Sequence, residues 1–168
     1  GRMFVCWSPQ GVLLPKPHNP FFSSQTDDPP TPSAYSLLSH DCAWALESVG
    51  LDSYVGFLHR DRPGRNSLAL DLMEEFRPCV ADRFVLTCIN NRVFQKSDFV
   101  CRENGGVLLS EGGRRTFLQR WQERKKDSLT HPFLGEKVPW GLVPYLQALL
   151  LARYLRGDLD AYPPFLWK

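Results

Sequence analysis

Residues 56–78 read GFLHRDRPGRNSLALDLMEEFRP, and the change of pattern inside this stretch frames the whole chain. Its first half is polar and basic and holds Pro63-Gly64, a pair that turns the backbone. From Ser67 onward apolar residues recur at helical spacing. At about 100° per residue Leu68, Ala69, Leu72, Met73 and Phe76 share one face, and Asp71, Glu74 and Glu75 fall on the other. Pro78 cannot sit inside a helix without removing a backbone hydrogen bond. The run over 67–89 is therefore a kinked helix, or two helices with Pro78 in the first turn of the second. The plain reading of the carboxylates is an acidic face that meets water. A sharper reading starts from spacing. Asp71 and Glu74 stand three residues apart and are neighbours on a helix surface. A Pro-Gly turn can fold His59 back beside them. Carboxylate oxygens with one imidazole suit Mg²⁺ or Mn²⁺. Arg60, Arg62 and Arg65 before the helix and Arg77 after it supply guanidiniums that can hold phosphates next to such an ion.

Working outward, apolar spacing predicts a helix over 33–49, stopped by Gly50, and a short helical turn within 51–58. Two apolar runs around Asn104-Gly105 predict a β-hairpin over 99–109. Helices are expected over 111–129 and 141–156, the second ended by Gly157. Residues 1–14 hold two short apolar runs, and 15–32 form a Pro-rich loop. The class is mainly α with one small hairpin, divided into an N-terminal segment over 1–32 and a helical domain over 33–168. A chain of 168 residues, 43% of them hydrophobic, suffices for one core.

A net charge of +2 does not by itself mark a nucleic-acid binder. The charge is clustered instead. Arg114, Arg115, Arg120, Arg124, Lys125 and Lys126 alternate with Phe117, Leu118 and Trp121. This is either a solvated basic face or a helix that contacts phosphates without reading sequence. The five cysteines include no C-x-x-C, so no zinc or iron–sulfur spacing is present. They fit small buried hydrophobes in a reducing cytosol, and no run approaches the roughly 20 apolar residues of a membrane span, so a cytoplasmic protein is expected. His40 reads as partly buried packing and His131 as a turn residue.

The string HRDRPGRNSLALDLMEEFRP, followed by DRFVLTCINNR over 82–92 and YPPFLWK over 162–168, resembles the CRISPR-associated spacer-acquisition integrases called Cas-one, nearest to the form found with type I-C systems. The resemblance runs from about Pro29 to Lys168. It implies a β-rich N-terminal domain followed by a helical, metal-binding C-terminal domain. It implies a divalent ion, Mg²⁺ or Mn²⁺, held by a glutamate, a histidine and an acidic residue. It implies a homodimer that pairs with a smaller protein, Cas-two, and joins protospacer DNA to the CRISPR repeat by transesterification. With water as nucleophile the same site is an endonuclease. On this pattern the histidine is His59, the acidic ligand Glu74 and the supporting acid Asp71, with Glu75 turned to one side. Residues 1–168 are expected to lack the β-rich domain of this pattern, and within them no glutamate precedes Arg2-Met3-Phe4, the first acidic residue being Asp27. The expectation is therefore an incomplete site, with weak Mn²⁺ binding and little cleavage. The competing expectation is a non-catalytic helical module that holds DNA and dimerises. A third is an unrelated helical regulatory domain.

Overall fold

The computed structural model describes residues 4–7, 13–16, 30–60, 62–101 and 107–167. Among these, the helices are α1 (Pro30–Ser48), α2 (Ser67–Glu74), α3 (Arg83–Asn90), α4 (Glu111–Lys126) and α5 (Val143–Leu155). The strands are β1 (Phe4–Trp7), β2 (Leu13–Lys16), β3 (Phe99–Cys101), β4 (Val107–Leu109), β5 (Ser128–Thr130) and β6 (Lys137–Pro139). They form antiparallel pairs only, β1 with β2, β3 with β4 and β5 with β6. The mainly helical class holds, but one hairpin becomes three strand pairs among the described residues. The Asn104-Gly105 turn and most of the Pro-rich segment lie outside the described residues.

The helix expected over 111–129 ends early, at Lys126. Asp127 turns to extended backbone, with φ −62° and ψ 141°, and Leu129 pairs with Val138. The cause is burial. Leu129 is 6% exposed while Ser128 and Thr130 face water, the alternation of a strand. His131 sits at the turn, as expected, but it is buried. Its Nδ1 accepts the N–H groups of Phe133 and Leu134. His40, expected to pack, is exposed instead. The turn expected within 51–58 is irregular backbone, not helix.

Pro78 has the effect foreseen, with a different geometry. A single π-helical turn, Arg77–Asp82, separates α2 from α3. The proline supplies no N–H, so the chain widens by one residue before the α-helix resumes. The core gathers α1, α2 and α5 around Leu38, Leu46, Leu72, Phe76 and Val143, all under 4% exposed. Phe84 joins α3 to α4, its ring 5.3 Å from Phe117 and 5.1 Å from Trp121. The C-terminal tail is pinned by Phe165. Its ring lies 5.4 Å from Phe76, 5.5 Å from His131 and 6.0 Å from Trp140. Burying such a ring contributes about 1.5–3 kcal/mol. No helix among the described residues is long and apolar enough to cross a membrane.

Candidate metal and nucleic-acid site

The start of α2 is capped by the loop before it. Ser67 N–H bonds Arg65 O at 2.8 Å, and the N–H groups of Leu68 and Ala69 both reach Ser53 O, at 3.0 and 3.3 Å. The first-turn donors are thus satisfied without a side-chain cap. Gly56 permits this wrapping. A Cβ there would come within 2.6 Å of Ser67 Cβ and 2.8 Å of His59 O. Gly64, with φ +76°, makes the return turn that glycine favours.

Once the loop is wrapped, three consecutive N–H groups point at one carboxylate. Asp71 Oδ2 accepts from Phe57 N at 2.5 Å and Leu58 N at 2.9 Å. Its Oδ1 accepts from His59 N at 3.0 Å and lies 2.5 Å from His59 Nδ1. An ionised carboxylate offers about four acceptor positions, and all of them are taken by protein donors. Burial alone would raise the Asp71 pKa. The Leu58 amide, the His59 imidazole and the Phe57 and His59 amides outweigh it and hold the group below the usual carboxylate value. An ionised carboxylate cannot donate, so Nδ1 carries the proton in this contact. The imidazole is left with Nε2 for a ligand, and its side chain is 27% exposed. A metal-binding histidine usually has its other ring N–H fixed by a carboxylate in this way, so the arrangement fits a metal donor.

Glu74, one turn further along, is not part of that contact. Both of its oxygens take Arg77 Nη1, at 2.8 and 3.1 Å. Arg77 in turn lies 4.6 Å over the ring of Tyr35 on α1, and the Tyr35 hydroxyl donates to Asp82 Oδ1 at 2.6 Å. Burial works against the Arg77 charge, but Glu74 and Tyr35 overcome it and raise the pKa. Glu75 faces the other way, into the protein. It accepts the Tyr162 hydroxyl at 2.7 Å, Gln147 Nε2 at 2.9 Å and Phe165 N at 2.9 Å. Burial first, then Glu75, pushes the Tyr162 pKa up.

The acidic face is therefore not a solvated one. Asp71 organises the loop, Glu74 pairs with Arg77 and Glu75 anchors the tail. His59 and Asp71 are in contact, but no group of three or more His, Cys, Asp or Glu side chains converges as a metal site among the described residues. Sequence reasoning missed Tyr35, Gln147 and Tyr162. Gln147 had a signal, being the one amide in the apolar run VPYLQALLLARYL, since a buried polar group needs partners. Tyr162 stood in the quoted tail without an assigned role, and Tyr35 had no sequence signal.

The basic residues divide in two. Arg60 and Arg62 are exposed and Arg65 half-buried on the loop. On α4 most cations are already paired. Arg115 bonds Glu111, Arg120 bonds Glu123 at 3.0 Å, Arg124 bonds Asp127 at 3.0 Å, and Lys125 bonds Asp41 at 2.7 Å. Arg114 is the α4 cation without a carboxylate partner among the described residues, and Lys126 acts on the Glu123 carboxylate electrostatically without an ion-pair contact.

Residues 34–123 match the family model described as CRISPR associated protein Cas1. The CRISPR-associated endonuclease Cas1 2 of Rhodospirillum rubrum is 63% identical over 134 residues, covering 80% of this chain and 39% of that protein. Among solved structures, a casposase bound to integration product superposes with a TM-score of 0.73 at 33% identity, covering 79% of this chain and 36% of the other. A partial Cas6-RT-Cas1–Cas2 complex superposes at 0.70 over 90% of this chain and 47% of that one; its 21% identity bears on the fold alone. The chain spans about two fifths of the length of the curated relative it matches.

Proposed function

This chain belongs to the family of CRISPR-associated protein Cas1, and on that premise we propose that it is the helical part of a divalent-metal-dependent DNA endonuclease and integrase of CRISPR spacer acquisition. The proposal extends to the C-terminal domain and to a type I-C-like form. The observation that carries it is the Asp71–His59 contact, which engages Nδ1 and leaves Nε2 as the ring nitrogen for a ligand. His59 Nε2 and the Glu74 carboxylate are the proposed donors to Mg²⁺ or Mn²⁺, and Asp71 positions His59 rather than ligating. When bound, the ion would offset charge building on a phosphodiester under attack by a DNA 3′-hydroxyl or by water. Arg60, Arg62 and Arg65 would hold flanking phosphates. Asp71 keeps the proton on Nδ1, so Nε2 stays an acceptor.

The proposed partners are protospacer and repeat DNA, a Cas2 protein and a second copy of the chain. Support for the DNA partners comes from the casposase, 33% identical to this chain, which is bound to an integration product. A second reading, a non-catalytic module that holds DNA and dimerises, is favoured by the lack of a three-donor group among the described residues. Mn²⁺ titration followed by electron paramagnetic resonance separates the two. The metal reading expects weak binding that His59→Ala and Glu74→Ala each abolish, with little DNA cleavage by this chain. Binding indifferent to both substitutions would refute it. Robust cleavage lost in Glu74→Ala would mean that two protein donors suffice for chemistry.

A further inference from the structure

We propose that Arg77 is a built-in competitor for the metal at Glu74, and that it couples metal binding to DNA binding. The inference rests on the reading of Glu74 as a metal donor. Both Glu74 oxygens are engaged by one nitrogen, Arg77 Nη1. An exposed Arg–Glu pair three residues apart on a helix would be a weak, solvated contact. This one is built in. The two side chains are 31% and 26% exposed, the guanidinium rests on the Tyr35 ring, and Tyr35 is tied to Asp82. Arg77 Nε is buried without a hydrogen-bond partner among the described residues.

Two cations cannot both claim the same pair of oxygens without repulsion. A dication arriving at Glu74 must displace Arg77 or share the carboxylate with it, and either lowers its affinity. A displaced guanidinium, half-buried against Tyr35, then needs another anion. DNA phosphate is the anion that the proposed substrate brings, and guanidinium is well matched to it. DNA that takes Arg77 therefore frees Glu74 for the metal. By linkage, metal at Glu74 frees Arg77 for DNA by the same factor.

The sign of one variant distinguishes this from a structural role. Mn²⁺ affinity is measured by electron paramagnetic resonance on wild type, Arg77→Gln and Arg77→Lys, each with and without a short DNA duplex. Competition predicts that Arg77→Gln binds Mn²⁺ about tenfold tighter without DNA, within the usual range of such couplings. The enhancement by DNA should shrink correspondingly. Arg77→Lys keeps the cation but loses the planar contact with Tyr35, and should fall between. If Arg77 merely holds Glu74 in place, Arg77→Gln weakens or leaves Mn²⁺ binding unchanged, and the proposal is overturned. If Mn²⁺ binding in all three proteins survives Glu74→Gln, the assignment of Glu74 as a donor fails instead, and the coupling falls with it.

Discussion

Replacing Asp71 by Asn keeps shape and volume and removes half of the acceptor capacity. The carboxylate takes four donors, two on each oxygen. An amide retains one oxygen and turns an NH₂ toward two of those donors. Each hydrogen bond to a charged acceptor contributes about 1.5–3 kcal/mol, and a buried donor left unpaired adds its desolvation cost. The Asp71 side chain is only 6% exposed, so water offers little rescue, whereas the His59 ring at 27% can recover part of its share. The expected loss is about 3–5 kcal/mol, read as a shift of the urea midpoint at constant m-value. A pH signature accompanies it. The folded pKa of Asp71 lies below its unfolded value, so the unfolded chain takes up the proton first as pH falls. The stabilisation is complete above the unfolded pKa, about 3.9, and fades as pH drops through the folded one. The wild-type advantage over Asp71→Asn should therefore narrow below about pH 4. Nitrogen-15 spectra should also show wild-type His59 protonated at Nδ1 and lose that preference in the variant. A loss below about 1 kcal/mol, with an unchanged acid limb, would refute the claim that this carboxylate organises the loop.

Two further outcomes test the surroundings. Tyr162→Phe removes the hydroxyl shared by Glu75 Oε1 and Gln147 Nε2, at 2.7 and 2.8 Å. It should cost about 1.5–3 kcal/mol in thermal unfolding and alter the fluorescence of Trp167 on the tail. Alanine at Arg114, Arg115, Arg124 and Lys125 together should lower the salt slope of DNA binding by about one to two, rather than the nearly four expected of four free cations. Three of these side chains are already held by Glu111, Asp127 and Asp41. An unchanged slope would leave α4 a solvated face.

The helical skeleton was legible because it depends on local spacing. Apolar periodicity and Gly50 and Gly157 bounded α1 and α5 to within a few residues, and Pro78 marked the break between α2 and α3. The β5–β6 pair was not legible. Asp127 and Ser128 carry no strong stop, and the basic run Arg124-Lys125-Lys126 is ordinary for a last helical turn. What ends α4 is tertiary, namely the burial of Leu129 and the bond from Trp140 N to Asp127 O at 2.9 Å. His131 shows the same limit. Its place in a turn followed from Pro132, but its burial follows from Phe165, 34 positions later, packing against its ring.

Nor could helical spacing assign the three carboxylates of α2, because it treats them as one face. Their roles are set by what each meets from elsewhere. Asp71 meets the incoming loop because Gly56 lets that loop lie against Ser67. Glu75 meets a tail that arrives some ninety residues later. Glu74 meets Arg77 from the turn that Pro78 widens, with Tyr35 behind it. Two of the three are thus fixed by groups that only a protein supplies, backbone amides, a phenol and a buried amide, and cannot be given up without unfolding something. Glu74 alone is held by a cation, and a cation can be exchanged for another. That difference singles out Glu74 as the carboxylate of this helix able to change partner, which is the property that its proposed role as a metal donor requires.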